Sequence, residues 1–277
     1  MARILTVGHS PDPDDAFMFY GLASGKVKID DFEISHILGD IQSLNMRAMK
    51  GDLEVTAISA HAFPYVRDHY WIMATGASMG EGYGPVLVSK RFSSLEELQG
   101  KKIATPGPLT TATLLLKIFT EGISSVDVPF DRIMDAITDG TVDAGVLIHE
   151  GQITYGSQGF KKILDFGEVW EKEAGGLPLP LGLDVVRKDL GEKTARRISA
   201  GLKESIDYGY THQDESIPYA LQWGRGISRD LGEKFVKMYV SDLTIDMGEK
   251  GKMGLERLFE LAYGKKLIPV SPEIVLY

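Results

Sequence analysis

The 277-residue chain predicts a two-lobed α/β protein, with parallel or mixed sheets flanked by helices and a two-segment hinge. Three observations lead there. Apolar strand-like runs alternate with segments of helical period, the arrangement of parallel sheets covered on both faces. The length exceeds what one core comfortably fills and suits two domains. A Gly/Pro connection, AGGLPLPL at 174–181, precedes a strand that returns the chain to its first half, so one lobe is discontinuous. The predicted division is 1–88 plus 186–277 for lobe I and 89–185 for lobe II, with crossings near Leu87–Val88 and Val185–Val186 and a ligand cleft between the lobes.

The elements follow in order. Met1 leads directly into RILTVG (3–8), a buried first strand that ends in the turn-rich HSPDPDD. There Asp14 or Asp15 is placed to cap a helix over AFMFYGLASG. FEISHIL (32–38) alternates faces as a second strand. DIQSLNMRAMK (40–50) carries Ile41, Leu44 and Ala48 at helical spacing, with Gly51 as its C-terminal cap. LEVTAIS (53–59) is a third strand, and HAFPYVRDHY a short helix. GYGPVLVSK (82–90) is a strand approached by glycines. In SSLEELQGKKIATPG, Ser93 or Ser94 with Glu96 or Glu97 forms a capping box, Gly100 stops the helix, and KKIAT is a strand. TTATLLLKIFTEG (110–122) and DRIMDAITDG (131–140) are helices ending at glycines, and VDAGVLIHE (142–150) is a strand. LGLDVVRK (181–188) is the returning strand. Helices then dominate: KTARRISAGLKESIDYGYTH, SIPYALQWG, LGEKFVKMYV and LERLFELAYGKK.

Composition bounds the function. Hydrophobic residues at 43% and charged residues at 25% are ordinary for a globular chain. A net charge of -9 repels nucleic-acid phosphates, so no nucleic-acid partner is expected. No dense Lys/Arg run suggests a membrane surface, and no apolar stretch reaches the roughly 18 residues of a membrane span. The opening residues carry no leader pattern, so the cytoplasm is the expected location. With no cysteine, disulfides, thiolate nucleophiles and Cys-ligated metals are excluded.

Four segments could carry chemistry. GHSPDPDDAF (8–17) lies at the carboxyl end of a strand, where open α/β sheets bind ligands. Its three aspartates match no Ca²⁺-loop spacing, so no metal is expected. TPGPLTTAT (105–113) starts a helix at Thr110 and Thr111 after a strand. Its N–H groups, dipole and hydroxyls make a cradle for a carboxylate or phosphate. It lacks the G-K-[ST] of a Walker loop. In LIHEGQ, His149 comes off an apolar strand into the predicted cleft, and Glu150 or Gln152 could assist it. Of the other histidines, His36, His69 and His212 read as packing or surface residues, while His9 and His61 lie nearer cleft edges. In VTAIS, strand-end Ser59 could meet a polar ligand. There is no nucleophile elbow, H-E-x-x-H or G-x-G-x-x-G motif.

Together GHSPDPDDAFMFY, VTAIS, the L-x-G-K-K-I-A-T-P-G-x-x-T-T-A run and IHEGQ resemble the 1,4-dihydroxy-6-naphthoate synthase family of the futalosine route to menaquinone, over essentially the whole chain and in the same order. The opening S-P-x-P-x-D-x-F and the I-H-E are the most specific parts. The family often has Asn at the place of Asp14, which leaves Asp15 as the stronger match. The resemblance implies a fold similar to type II periplasmic binding proteins in an intracellular enzyme. It implies cyclic dehypoxanthinyl futalosine as a carboxylate-bearing substrate, cleaved at a carbon–carbon bond. It implies His149 as the proton acceptor, with Ala57, Ile58, Ser59, Thr111 and Ala112 contacting substrate beside Thr110 and Asp15, and neither metal nor organic cofactor. A homodimer is compatible with this reading. The competing readings are the sister chorismate dehydratases, whose opening motif differs, and a solute- or effector-binding protein of the same fold.

Overall fold

The computed structural model describes residues 2–223 and 228–277; Met1 and Gly224, the ends of two predicted segments, lie outside the described residues. In chain order the strands are β1 (Arg3–His9), β2 (Phe32–Leu38), β3 (Val55–Ser59), β4 (Tyr70–Ile72), β5 (Ser78–Gly80), β6 (Val86–Ser89), β7 (Lys102–Thr105), β8 (Ser124–Asp127), β9 (Ala144–Leu147), β10 (Lys161–Asp165) and β11 (Leu179–Arg187).

They form two mixed sheets flanked by helices. The first has the order β2-β1-β3-β11-β4, with β5 paired to β11; the second has the order β10-β6-β9-β7-β8. In the first sheet β1 runs parallel to β2 and β3, while β11 is antiparallel to β3, β4 and β5. In the second, β7 is parallel to β8 and β9, while β6 is antiparallel to β9 and β10. The chain therefore changes sheet between β5 and β6 and returns between β10 and β11. Leu87–Val88 and Val185–Val186 fall inside β6 and β11.

The predicted strands at 3–8, 32–38, 53–59 and 181–188 correspond to β1, β2, β3 and β11 within a residue or two at their ends. The elements that periodicity did not expose are short or weakly apolar: β4, β5, β8 with its sequence SSVD, β10 with KKILD, and the helix Phe166–Ala174. The helix expected over AFMFYGLASG instead starts at Pro13 and breaks at Phe19 into Pro13–Met18 and Tyr20–Ala23. The break is held by Ser205, whose hydroxyl donates to Met18 O at 2.7 Å and accepts the Leu22 N–H at 3.1 Å. Gly21 is required there, because a Cβ would come 2.9 Å from the Ser205 Cα. The Ser93/Ser94 capping box is only half present. Glu97 accepts both serine N–H groups, but the turn Glu96–Leu98 is a 3₁₀ helix with no hydroxyl cap.

One core cluster runs beneath both sheets, joining Ile58, Ile72 and Leu183 to Leu87, Ile103, Leu114 and Val146 through helix Gly248–Gly264. A second lies under the first sheet, where the 20-residue helix Glu192–Thr211 lays Ala195, Ile198, Leu202 and Ile206 against Phe17, Phe19 and Val186. That spacing of three and four is the buried stripe of an amphipathic helix. The outcome for the site is that the carboxyl ends of β1, β3, β7 and β9 converge.

Candidate functional site

A cavity of about 660 Å³, counted to its solvent mouth, opens where those strand ends meet. Its wall includes all eight residues expected from sequence: Asp15, Ala57, Ile58, Ser59, Thr110, Thr111, Ala112 and His149. It also includes Ser10, Asp12, Asp14, Gln152, Leu181 and Tyr239. The site therefore draws on both sheets. The loop after β1 and the end of β3 come from the first; the helix after β7 and the turn after β9 come from the second.

The β1 loop is built around a cap. Asp12 is extended (φ -137, ψ 167) and precedes Pro13 at the first helical position; its carboxylate accepts the Asp15 N–H at 3.4 Å. The expectation that Asp14 or Asp15 caps this helix is corrected: proline drives the residue before it out of the helical region, which makes Asp12 the N-cap. Asp15 instead accepts the Ser10 N–H at 2.5 Å.

The second-sheet wall starts at Gly107 (φ +136), where a Cβ would strike the Gln42 side chain at 2.5 Å. The helix Thr111–Phe119 follows, with Thr110 as N-cap accepting the Thr113 N–H. Both threonine hydroxyls are already engaged: Thr110 donates to Gly107 O at 2.8 Å and Thr111 to Leu181 O at 2.7 Å. Thr111 Oγ1 also accepts the His61 N–H at 3.3 Å. What this helix start offers the cavity is backbone N–H, because the first-turn amides of Thr111 and Ala112 have no intrahelical acceptor.

His149 stands past the end of β9, not within the strand as its apolar run suggested. Its φ is +52, the left-handed region that histidine visits more readily than most residues, at a cost of roughly 1–2 kcal/mol. The turn is stabilised by the Gln152 N–H donating to His149 O at 3.1 Å. His149 Nδ1 lies 3.1 Å from Asp12 Oδ2 on the opposite wall, and Phe130 meets the ring edge-on at 5.0 Å. Nε2 has no hydrogen-bond partner among the described residues. Gln152 Nε2 donates to the Tyr239 hydroxyl, a second polar contact across the cleft. His9 is excluded from this work: it is buried, stacked on Phe19 at 4.6 Å, with Nε2 on His36 Nδ1 at 3.0 Å.

Burial divides the carboxyls. Asp12 is fully buried, which by itself raises its carboxyl; His149 and hydrogen bonds from Asp14 and the Asp15 N–H outweigh this and hold it below the ordinary range. Asp14 is pushed well above that range by burial and by the Asp12 and Asp15 charges. Asp15 is raised by burial, Asp12 and Asp184. Burial alone lifts Asp184 to about 8. Asp12, Asp14 and His149 bring one donor atom each within 4.8 Å of one another, the grouping most able to hold a cation among the described residues. Burial and the neighbouring carboxylates favour the protonated form of Asp14 beside Asp12, whose carboxylate faces the imidazole.

Sequence reasoning missed Asp12 and Tyr239. The Asp-Pro step before a helix was the available signal for Asp12. Nothing local to Tyr239 places it on a cavity 87 residues from Gln152 in sequence.

Comparison with known proteins places these features in context. A family model described as menaquinone biosynthesis matches residues 5–264. A 1,4-dihydroxy-6-naphthoate synthase of Thermus thermophilus is 36% identical over 268 residues, 97% of this chain and 97% of that protein. A crystal structure of a protein from Archaeoglobus fulgidus superposes with a TM-score of 0.91 at 46% identity, covering 96% of this chain and 98% of its own. The alkanesulfonate-binding protein of Xanthomonas axonopodis, bound to MOPS, superposes with a TM-score of 0.70 at 10% identity over 98% of this chain and 96% of its own. That last likeness concerns the fold: two α/β sheets in the manner of a periplasmic binding protein. No described helix is long and apolar enough to cross a membrane.

Proposed function

We propose, from the premise that this chain belongs to the menaquinone biosynthesis family and to its 1,4-dihydroxy-6-naphthoate synthases, that it is a cytoplasmic carbon–carbon lyase converting cyclic dehypoxanthinyl futalosine to 1,4-dihydroxy-6-naphthoate. His149 is the general base. It removes a hydroxyl proton; the O–H electrons form a carbonyl as the carbon–carbon bond breaks, the pair from that bond passes into the ring as an enolate, and return of the proton with aromatisation of the ring drives the step. The substrate carboxylate sits on the Thr111 and Ala112 N–H groups, a helix start that favours anions. Ala57, Ile58 and Ser59 line the first-sheet wall, and Thr110 and Asp15 shape the pocket floor. The two sheets act as lobes that close on the substrate and exclude water from the intermediate. A homodimer is the assembly to test by light scattering.

The observation that carries this reading is an imidazole nitrogen without a hydrogen-bond partner among the described residues, Nε2 of His149, on a ring that lines the same cavity as a helix N-terminus. A base must be free to accept a proton, and an anion cradle must face it at substrate range. The test is incubation with cyclic dehypoxanthinyl futalosine and mass spectrometry for the dihydroxynaphthoate. Turnover should fall about 10²–10⁴-fold in His149→Asn while product binding persists. Absence of product with the parent protein, or near-normal turnover in His149→Asn, refutes the assignment.

A further inference from the structure

We propose that Asp12 is the positioning residue of His149: from the opposite wall of the cleft its carboxylate holds the ring as the Nδ1–H tautomer, leaving Nε2 as the nitrogen that takes the substrate's proton. This rests on the reading of His149 as the base. A carboxylate only accepts hydrogen bonds, so the 3.1 Å contact from Asp12 Oδ2 requires the hydrogen on Nδ1. The neutral ring then carries its lone pair on Nε2, the atom with no partner among the described residues. A carboxylate behind an imidazole sets tautomer and orientation together, the same logic that governs metal-binding and triad histidines.

Asp12 is suited to the task because it is itself immobilised. Pro13 restricts its backbone, and its other oxygen takes the Asp15 N–H at 3.4 Å as the helix cap. Asp14 beside it is pushed toward its neutral form by burial and by the Asp12 and Asp15 charges, which lessens the repulsion that Asp12 meets. The dyad also spans the two sheets, since Asp12 follows β1 and His149 follows β9. The ring is therefore aligned only when those strand ends are brought together.

Asp12→Asn tests this. Asparagine is as good an N-cap as aspartate. To keep its oxygen on the Asp15 N–H it must turn its NH₂ toward His149, and a donor facing Nδ1 enforces the opposite tautomer, with the proton on Nε2. The expected result is a fall in kcat of about 10²–10⁴-fold, with KM and product affinity close to the parent's. In ¹⁵N-histidine spectra, the His149 resonances, identified by their loss in His149→Asn, should exchange protonated and unprotonated positions. Parental turnover in a folded Asp12→Asn overturns the proposal. So does a parent protein whose Nε2, not Nδ1, carries the hydrogen, and that spectrum decides the matter even if the variant fails to fold. The two readings separate cleanly: a normal His149→Asn removes the base, whereas a normal Asp12→Asn beside an inactive His149→Asn removes only the positioning role.

Discussion

Replacing Thr111 by valine preserves volume and removes one hydroxyl, and the structure says which function suffers. The sequence suggested that this hydroxyl binds the ligand carboxylate. In the folded protein it donates to Leu181 O at 2.7 Å and accepts the His61 N–H at 3.3 Å, so it ties the helix after β7 to β11 and to the turn after β3. Valine leaves the buried His61 N–H and the part-buried Leu181 carbonyl without that bond. Each lost partner costs about 1–3 kcal/mol, so the destabilisation is roughly 2–6 kcal/mol, or several degrees or more in Tm for a chain of this size. Thermal melts should show that drop, and Thr111→Ser should restore most of it. In binding titrations, the dihydroxynaphthoate and an analogue lacking the carboxylate should weaken to the same extent, because the hydroxyl joins protein elements to one another and not to the ligand. The carboxylate itself should be read by the backbone. In ¹H–¹⁵N spectra the Thr111 and Ala112 amides should shift with the acid and stay in place with the neutral analogue. An unchanged Tm with selective weakening of the carboxylate ligand would return the hydroxyl to the ligand and refute this account.

Other outcomes follow from the same geometry. Product at saturation should compact the particle in small-angle scattering, since Asp12–His149 and Gln152–Tyr239 both join residues of opposite walls; an unchanged profile argues against closure in solution. Burial lowers His9 and His61 to about 4, in His9 aided by His36. The unfolded chain therefore binds protons first, and stability should fall as pH drops from about 6.5 through about 4. Denaturant titrations at steps across that window check it, and a flat response there would contradict the burial argument. Asp184, lifted to about 8 by burial, has the opposite sign. Its folded form holds the proton, so it lowers stability progressively as pH rises from about 4 to about 8. Asp184→Asn should flatten that slope and gain several kcal/mol at the alkaline end; an unchanged slope would mean that the carboxyl is solvated.

Much of this was legible because alternating apolar residues mark strands with one buried face and continuous apolar runs mark strands buried on both. β1, β2, β3 and β11, the strands that set the first sheet, all carry such runs. The eight expected site residues lie at strand ends or at a helix start, positions that turn and cap chemistry reveal. What was hidden depends on three-dimensional neighbours. β8, with the sequence SSVD, is a strand because β7 offers it a parallel edge, and no propensity in those four residues says so. His149 was read as the tip of a strand, yet it is a left-handed turn residue whose ring direction is set by Asp12, more than a hundred positions earlier in the chain. The Thr111 hydroxyl was open to a ligand only while Leu181 and His61 were not known to stand beside it.

The acidity of the opening loop and the anionic character of the proposed ligand are reconciled by burial. Four carboxyls, from Asp12, Asp14, Asp15 and Asp184, lie close enough to shift one another or to meet the same cavity wall. Were all ionised, a carboxylate ligand would face a charge that the two N–H groups of a helix start could not offset, each such helix end being worth only about half an elementary charge. Desolvation makes the charged form costly, and it drives Asp14, Asp15 and Asp184 toward their neutral forms. Asp12 has the most compensation, from the His149 ring ahead of its hydrogen bonds, and it is held below the ordinary range, whereas the Ser10 N–H on Asp15 does not outweigh burial. Burial thus reduces the negative charge of a loop whose sequence spells Asp12, Asp14 and Asp15 almost side by side, and the Asp12 carboxylate is turned to the back of the imidazole. The same burial that neutralises the neighbours is what makes the remaining carboxylate an effective anchor for the ring, since a hydrogen bond to it is strengthened by the low local dielectric. An acidic loop at the mouth of an anion pocket is then consistent, provided that the pocket stays dry.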